Sequence, residues 1–115
     1  MNPTHLELEK RAGPNGNQTV VRLSGKLSLE TVHDFIQTLR PEAAQHLVLD
    51  MSGVYFLDSA GVGALVQIFV HRRGLGQTFT VAGLTKQGNA VMQVAGLTKL
   101  LPIASSVEEA LSKNK

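Results

Sequence analysis

Cysteine and tryptophan are absent from the 115-residue chain, aromatic residues make up 4% of it, and proline occurs four times. Without cysteine there is no disulfide, no thiolate metal site and no cysteine nucleophile, a composition that a reducing cytosol permits. So few aromatics leave little to stack nucleic-acid bases beside the one tight basic cluster, His71 with Arg72 and Arg73, which reads as a solvated helix end. Charge of one sign is also missing: 11 Lys plus Arg oppose 9 Asp plus Glu, and the charges are interspersed although the sequence pI is near 9.2. The longest apolar stretch, residues 60–70, contains Gln67 and stops at the cationic cluster, short of the roughly 20 residues a membrane helix requires. Residues 1–10 alternate polar and apolar and hold no signal-peptide core. The expectation is a soluble, cytoplasmic domain with no membrane insertion and no direct nucleic-acid contact.

What is present suits a single domain over residues 1–115. Hydrophobic residues make up 43% of the chain, and folding at this size hides roughly 65% of the extended-chain surface, enough for a core without staples. Leu6 and Leu8 alternate with Glu7 and Glu9 as in a half-exposed strand, residues 11–18 carry turn formers, and residues 19–24 read as a second strand, so an N-terminal β-hairpin is expected. Ser28 is placed to cap a helix with Leu29, Val32, Ile36 and Leu39 at helical spacing until Pro41. Leu47, Val48 and Leu49 fit a strand buried on both faces, followed by a connection over residues 50–57. A central helix over residues 59–73 would turn Ala64, Leu65, Ile68 and Phe69 inward.

Further on, residues 78–82 read as a strand, residues 86–95 as a helix closed by Gly96, and residues 100–103 as a short last strand. A capping box begins at Ser105 or Ser106 with Glu108 or Glu109, opens a helix through Leu111, and leaves a mobile tail at residues 112–115. The hexapeptide at residues 81–86 recurs at 94–99, but one copy follows a strand and the other ends a helix, so it is two glycine-centred stops rather than a structural repeat. Alternating strands and helices predict an α/β domain with βα superhelical winding around a mostly parallel sheet, made mixed by the hairpin.

Catalytic and metal signatures fail. His5, His33, His46 and His71 show no ligand spacing. A nucleophile elbow around Ser59 lacks its first glycine, since Leu57 stands there; Gly61-Val62-Gly63 lacks the third small residue of a dinucleotide loop; and Gly25-Lys26 is followed by Leu27, so there is no phosphate loop. No catalytic residue, metal or cofactor is expected. What remains is Asp58-Ser59-Ala60-Gly61 at the start of the apolar helix. On spacing alone Ser59 or Asp58 is first of all an N-cap, worth about 1 kcal/mol. Gly61 and Gly63 each forfeit about 1 kcal/mol against alanine in a helix, which points either to close packing on the sheet or to a partner backbone approaching the helix start.

Residues 48–63, VLDMSGVYFLDSAGVG, resemble the signature of STAS domains, in particular anti-sigma factor antagonists. The likeness extends to VVRLSGKL at 20–27, GLTKLLPI at 96–103 and SVEEAL at 106–111, so it spans nearly the whole chain in order. The resemblance implies a STAS-like fold and a non-enzymatic regulator. By that likeness Ser59 is phosphorylated by an anti-sigma factor that is also a GHKL-type serine kinase. The unmodified form binds that kinase and frees the sigma factor, and a PP2C-like phosphatase restores binding. The partner-binding residues it implies are Asp58, Ser59, Ala60, Gly61, Val62 and Gly63, with Ser28 contributing from the preceding loop. Ala60 stands where many members carry a second hydroxyl, leaving Ser59 the sole candidate, and Ser28 stands where many carry aspartate. The alternative use of such a domain is a phosphorylation-independent docking subunit, such as that of an ABC-type lipid transporter.

Overall fold

The computed structural model describes residues 5–113. Its elements are β1 (Leu6–Ala12), β2 (Gln18–Leu27), α1 (Val32–Leu39), β3 (His46–Leu57), α2 (Ser59–Gly74), β4 (Thr78–Ala82), α3 (Lys86–Val94), β5 (Ile103–Ala104) and α4 (Val107–Ser112). The five strands form one sheet in the order β1-β2-β3-β4-β5. β1 and β2 pair antiparallel, and every later pairing is parallel. The expected mixed sheet with an N-terminal hairpin is therefore present.

Parallel strands need covering on both faces, and alternation along the strands divides the core accordingly. Val21, Leu23, Leu47, Leu49, Phe79 and Val81 pack with Phe35, Leu65, Ile68 and Met92, so α1, α2 and α3 share one face. Val20, Val48, Ala82 and Ala104 point the other way and meet Val107 and Ala110 of α4. Among the described residues no helix is long and apolar enough to cross a membrane.

Several boundaries differ from the sequence reading. Residues 50–57 are the second half of β3, not a connection. They pair with β2 across two register irregularities, and a Cβ at Gly53 would lie 2.6 Å from the Leu23 carbonyl oxygen. Bulges of this kind break the period-two alternation that marks a strand in sequence. The first helix begins at Val32, not at Ser28, and Leu29 is 71% exposed. Residues 28–31 form a turn instead, in which the Thr31 hydroxyl accepts from the Ser28 N–H at 3.0 Å and donates to the Lys26 carbonyl at 2.9 Å.

β5 starts at Ile103, because residues 97–101 are taken up by a turn in which the Leu100 and Leu101 N–H groups donate to the Leu97 carbonyl. In α3, Ala95 is the C-cap and Gly96 follows it at φ +73°, the left-handed position that glycine suits. Ser106 caps α4 through the Glu109 N–H, while the Glu109 carboxylate reaches Ser105, which also holds that carboxyl below its ordinary pKa. Of the expected tail, Ser112 closes α4 and Lys113 sits 3.5 Å from Glu109; residues 114–115 lie outside the described residues, as do 1–4.

Arg72 is the largest departure. Expected at a solvated helix end, it is 1% exposed. Its Nε donates to the Thr78 carbonyl at 2.9 Å, Nη1 to Glu42 at 3.0 Å and Nη2 to Ala44 at 2.6 Å, tying the end of α2 to the α1–β3 loop and the start of β4. Desolvation lowers its pKa, partly opposed by the Glu42 carboxylate, yet a guanidinium stays charged throughout the ordinary range.

Candidate functional site

The turn from β3 into α2 is fixed from three sides. Asp58, in extended conformation, is the N-cap: the Gly61 N–H donates to its Oδ1 at 2.8 Å. Its Oδ2 accepts the Leu29 N–H at 3.2 Å, joining the start of α2 to the β2–α1 turn. The end of β3 has no strand beside it on the β4 side, because pairing with β4 covers only residues 46–50. The Gln87 side chain fills that place, its Oε1 accepting the Leu57 N–H at 2.9 Å and its Nε2 donating to the Leu57 carbonyl at 2.8 Å.

The choice between Asp58 and Ser59 as cap is thus settled for Asp58, and Ser59 is the exposed first residue of α2 with its hydroxyl not committed to the cap. Replacing Asp58 with alanine removes the cap and the Leu29 bond together. Urea unfolding should show a loss of about 1–2 kcal/mol, with Asp58→Asn retaining part of it through the Gly61 contact.

The two glycines part company. A Cβ at Gly61 would lie 2.3 Å from the Leu27 carbonyl oxygen, so this glycine lets the helix start press against the end of β2. At Gly63 a Cβ would meet nothing within 4 Å, and the residue is exposed. Sheet packing accounts for the first and leaves the second unexplained by the fold. Gly63 borders a groove of about 680 Å³ between α2 and α3, where Ser59, Gly63 and Val66 face Val91, Val94 and Leu97. Val94 is 91% exposed.

The other residues expected at a partner surface are placed unequally. Ala60 is half-buried, while Gly61 and Val62 turn inward. Ser28 is 2% exposed, and its hydroxyl donates to Glu30 at 2.8 Å, which holds the Glu30 carboxyl below its ordinary pKa. The surface of that turn is therefore Leu29 and Glu30, and Ser28 shapes it from beneath. Close to this turn in sequence, Lys26 Nζ lies 5.7 Å from the Phe56 ring centre. Gln87 and Leu29 escaped sequence reading because each is defined by a partner about 30 positions away. The run of Ala90, Val91 and Val94 in a helix with only one inward methionine was the available signal for the groove. Among the described residues no group of His, Cys, Asp or Glu is arranged to hold a metal ion.

Comparison with known proteins bears on the whole fold. The chain is 28% identical over 113 residues to an anti-sigma F factor antagonist of Paenibacillus polymyxa, covering 94% of this chain and 92% of that one. The crystal structure of an anti-sigma factor antagonist from Mycobacterium paratuberculosis superposes with a TM-score of 0.84 at 23% identity, covering 96% and 95% of the two chains. The anti-sigma factor antagonist SpoIIAA in its unphosphorylated form gives 0.76 at 19% identity, with 96% of each chain covered. The family description "Mlab, STAS domain" matches residues 11–102. With its central hairpin-led sheet, its capped β3–α2 turn and four-fifths of its length within that match, the chain belongs to the STAS domain family.

Proposed function

We propose that the chain is a non-enzymatic, cytoplasmic regulator of transcription, an anti-sigma factor antagonist whose unphosphorylated form binds an anti-sigma factor and releases the sigma factor. The anti-sigma factor is a GHKL-type serine kinase, phosphorylation of Ser59 ends the binding, and a PP2C-like phosphatase restores it. One observation carries this reading: Ser59 is the exposed first residue of α2 on a turn pinned by Asp58, Leu29 and Gln87, with an apolar groove beside it. The Paenibacillus polymyxa relative supports the role.

Physical chemistry gives the switch its direction. A phosphoserine carries about −1.5 to −2 charges, and the free N–H groups of a helix start favour it by about 0.3–2 kcal/mol, so the fold tolerates the modification. At an interface the same dianion must be desolvated, and a penalty of about 3 kcal/mol weakens binding more than a hundredfold. Incubation with ATP and candidate anti-sigma kinases should add one phosphoryl group, mapped to Ser59 by mass spectrometry and missing in Ser59→Ala. Ser59→Asp should fold normally and bind the kinase at least about a hundredfold more weakly; wild-type affinity in that variant would rule out charge at this position as the control.

A docking subunit that needs no phosphorylation, as in an ABC-type lipid transporter, is the second reading. The groove favours it, because most of its lining is apolar side chains of α2 and α3, a surface that can seat a partner without any modification. Failure of every candidate kinase to modify Ser59 would select it.

A further inference from the structure

Between Asp58 and Glu108 the sequence has no acidic residue, while it has Arg72, Arg73, Lys86 and Lys99. Both walls of the groove fall inside this stretch. Arg72 is consumed by backbone carbonyls, so Arg73, Lys86 and Lys99 are the exposed cations, and among the described residues none of them forms an ion pair. Helical spacing puts Lys86 on the stripe that continues through Ala90 and Val94, and puts Arg73 two turns beyond Val66 on α2. Lys99 follows Leu97 at the far end of α3. None of the three lines the groove itself, and Lys86 also borders the neighbouring cavity with Ile103 and Ser105, but the two helices that wall it carry positive charge at these positions and no negative charge of their own.

We infer that the groove between α2 and α3 receives an acidic amphipathic helix of the partner protein, its apolar stripe on Val66, Val91 and Val94 and its carboxylates toward Lys86, Lys99 and Arg73. The inference rests on the reading that a partner docks at the Asp58–Ser59 turn, and it names the chemistry of the segment that does so. An apolar stripe seats by burial, and flanking charge selects its sign and speeds its arrival. Gly63 has a part in this, since the open space at its Cα lets the incoming helix lie close to α2. Ser59 lines the same groove. A phosphate there places a dianion beside the incoming carboxylates, so repulsion adds to desolvation and the switch acts on the docking segment itself.

The test uses two stapled helical peptides of about 14 residues. Both carry leucine at i, i+3, i+4 and i+7; one has glutamate at the remaining positions and the other lysine. Each is titrated into the full 15N-labelled chain. The expected result is that the glutamate peptide shifts the amides of Gly63, Val66, Val91 and Val94 and binds at least about tenfold more tightly than the lysine peptide, a preference that shrinks as salt is raised from about 50 to about 300 mM. Val94→Glu should weaken the glutamate peptide at least about tenfold and Val94→Lys should not, with both variants folded because the side chain is 91% exposed.

Equal affinity for the two peptides, shifts elsewhere, or no shifts overturns the inference. So does laurate shifting these amides when neither peptide does, which assigns the groove to an acyl chain. Dimerisation of the free chain that Val94→Glu abolishes likewise assigns it to a second copy. Phosphorylation of Ser59 is read separately by mass, so peptide selectivity without any kinase would retain the groove chemistry and remove the kinase reading. Phosphorylation without peptide selectivity would do the reverse.

Discussion

Arg72→Met should unfold at about 2–4 M less urea than the wild type, a loss of about 3–5 kcal/mol at a slope near 1.3 kcal/mol per M. Methionine keeps much of the side-chain volume, so the loss isolates the three hydrogen bonds rather than a cavity. The Glu42, Ala44 and Thr78 carbonyls would be left buried without their donor, and each such group costs about 1–3 kcal/mol. A domain of this size has about 5–15 kcal/mol in all, so this single change removes a large part of its stability. Arg72→Lys should recover little, because one ammonium cannot span three acceptors that arrive from a loop and a strand. A shift below about 1 kcal/mol in Arg72→Met would mean that the carbonyls find water and that the guanidinium is not what joins α2 to β4.

Gly61→Ala and Gly63→Ala, two residues apart in the same helix, should move stability in opposite directions. At Gly61 the new methyl would meet the Leu27 carbonyl oxygen at 2.3 Å and carbon at 3.0 Å. Both atoms are backbone at the end of β2 and cannot turn aside, so the helix start must shift, at a cost of about 2–3 kcal/mol. The same shift loosens the Asp58 N–H bond to Leu27, 3.4 Å long, and with it the pinning of Ser59. At Gly63 the methyl enters open space in an exposed helix, and the propensity gain of about 1 kcal/mol should appear as added stability. Paired urea curves give the sign of each. If Gly63→Ala is stabilising yet weakens the glutamate peptide, this glycine is kept for contact and not for folding.

These two predictions bear on the proposed switch. A phosphorylation site read by a partner needs a fixed position and a free hydroxyl, and the pinned turn supplies both. The carboxylate of Asp58 caps the helix, the Gln87 amide closes the end of β3, and Gly61 lets the helix lie against β2. Ser59 is left as the residue with no structural duty in the cap. On the proposed reading, charge added there acts on what approaches from outside.

How far the sequence alone determined this protein follows from the range of the interactions involved. Local pattern was sufficient for β4, α2 and α3, whose periodicity, caps and glycine stops lie within a few residues, and for the α/β order with its leading hairpin, though β1 runs on through Arg11 and Ala12 and β2 starts at Gln18, all three read as turn. It also isolated Asp58-Ser59 and the two glycines, because breaking propensity in a helix is visible without a fold. Only the tertiary structure decided the rest. β3 runs on to Leu57 because β2 accommodates its bulges, and the first helix starts late because Asp58 takes the Leu29 N–H from across the chain. Arg72 is buried because three carbonyls converge on it, and Gly61 differs from Gly63 because only one of them faces Leu27. Each of these is settled by a partner tens of residues away, and hydrogen bonding and close packing across that distance leave no periodic trace in sequence.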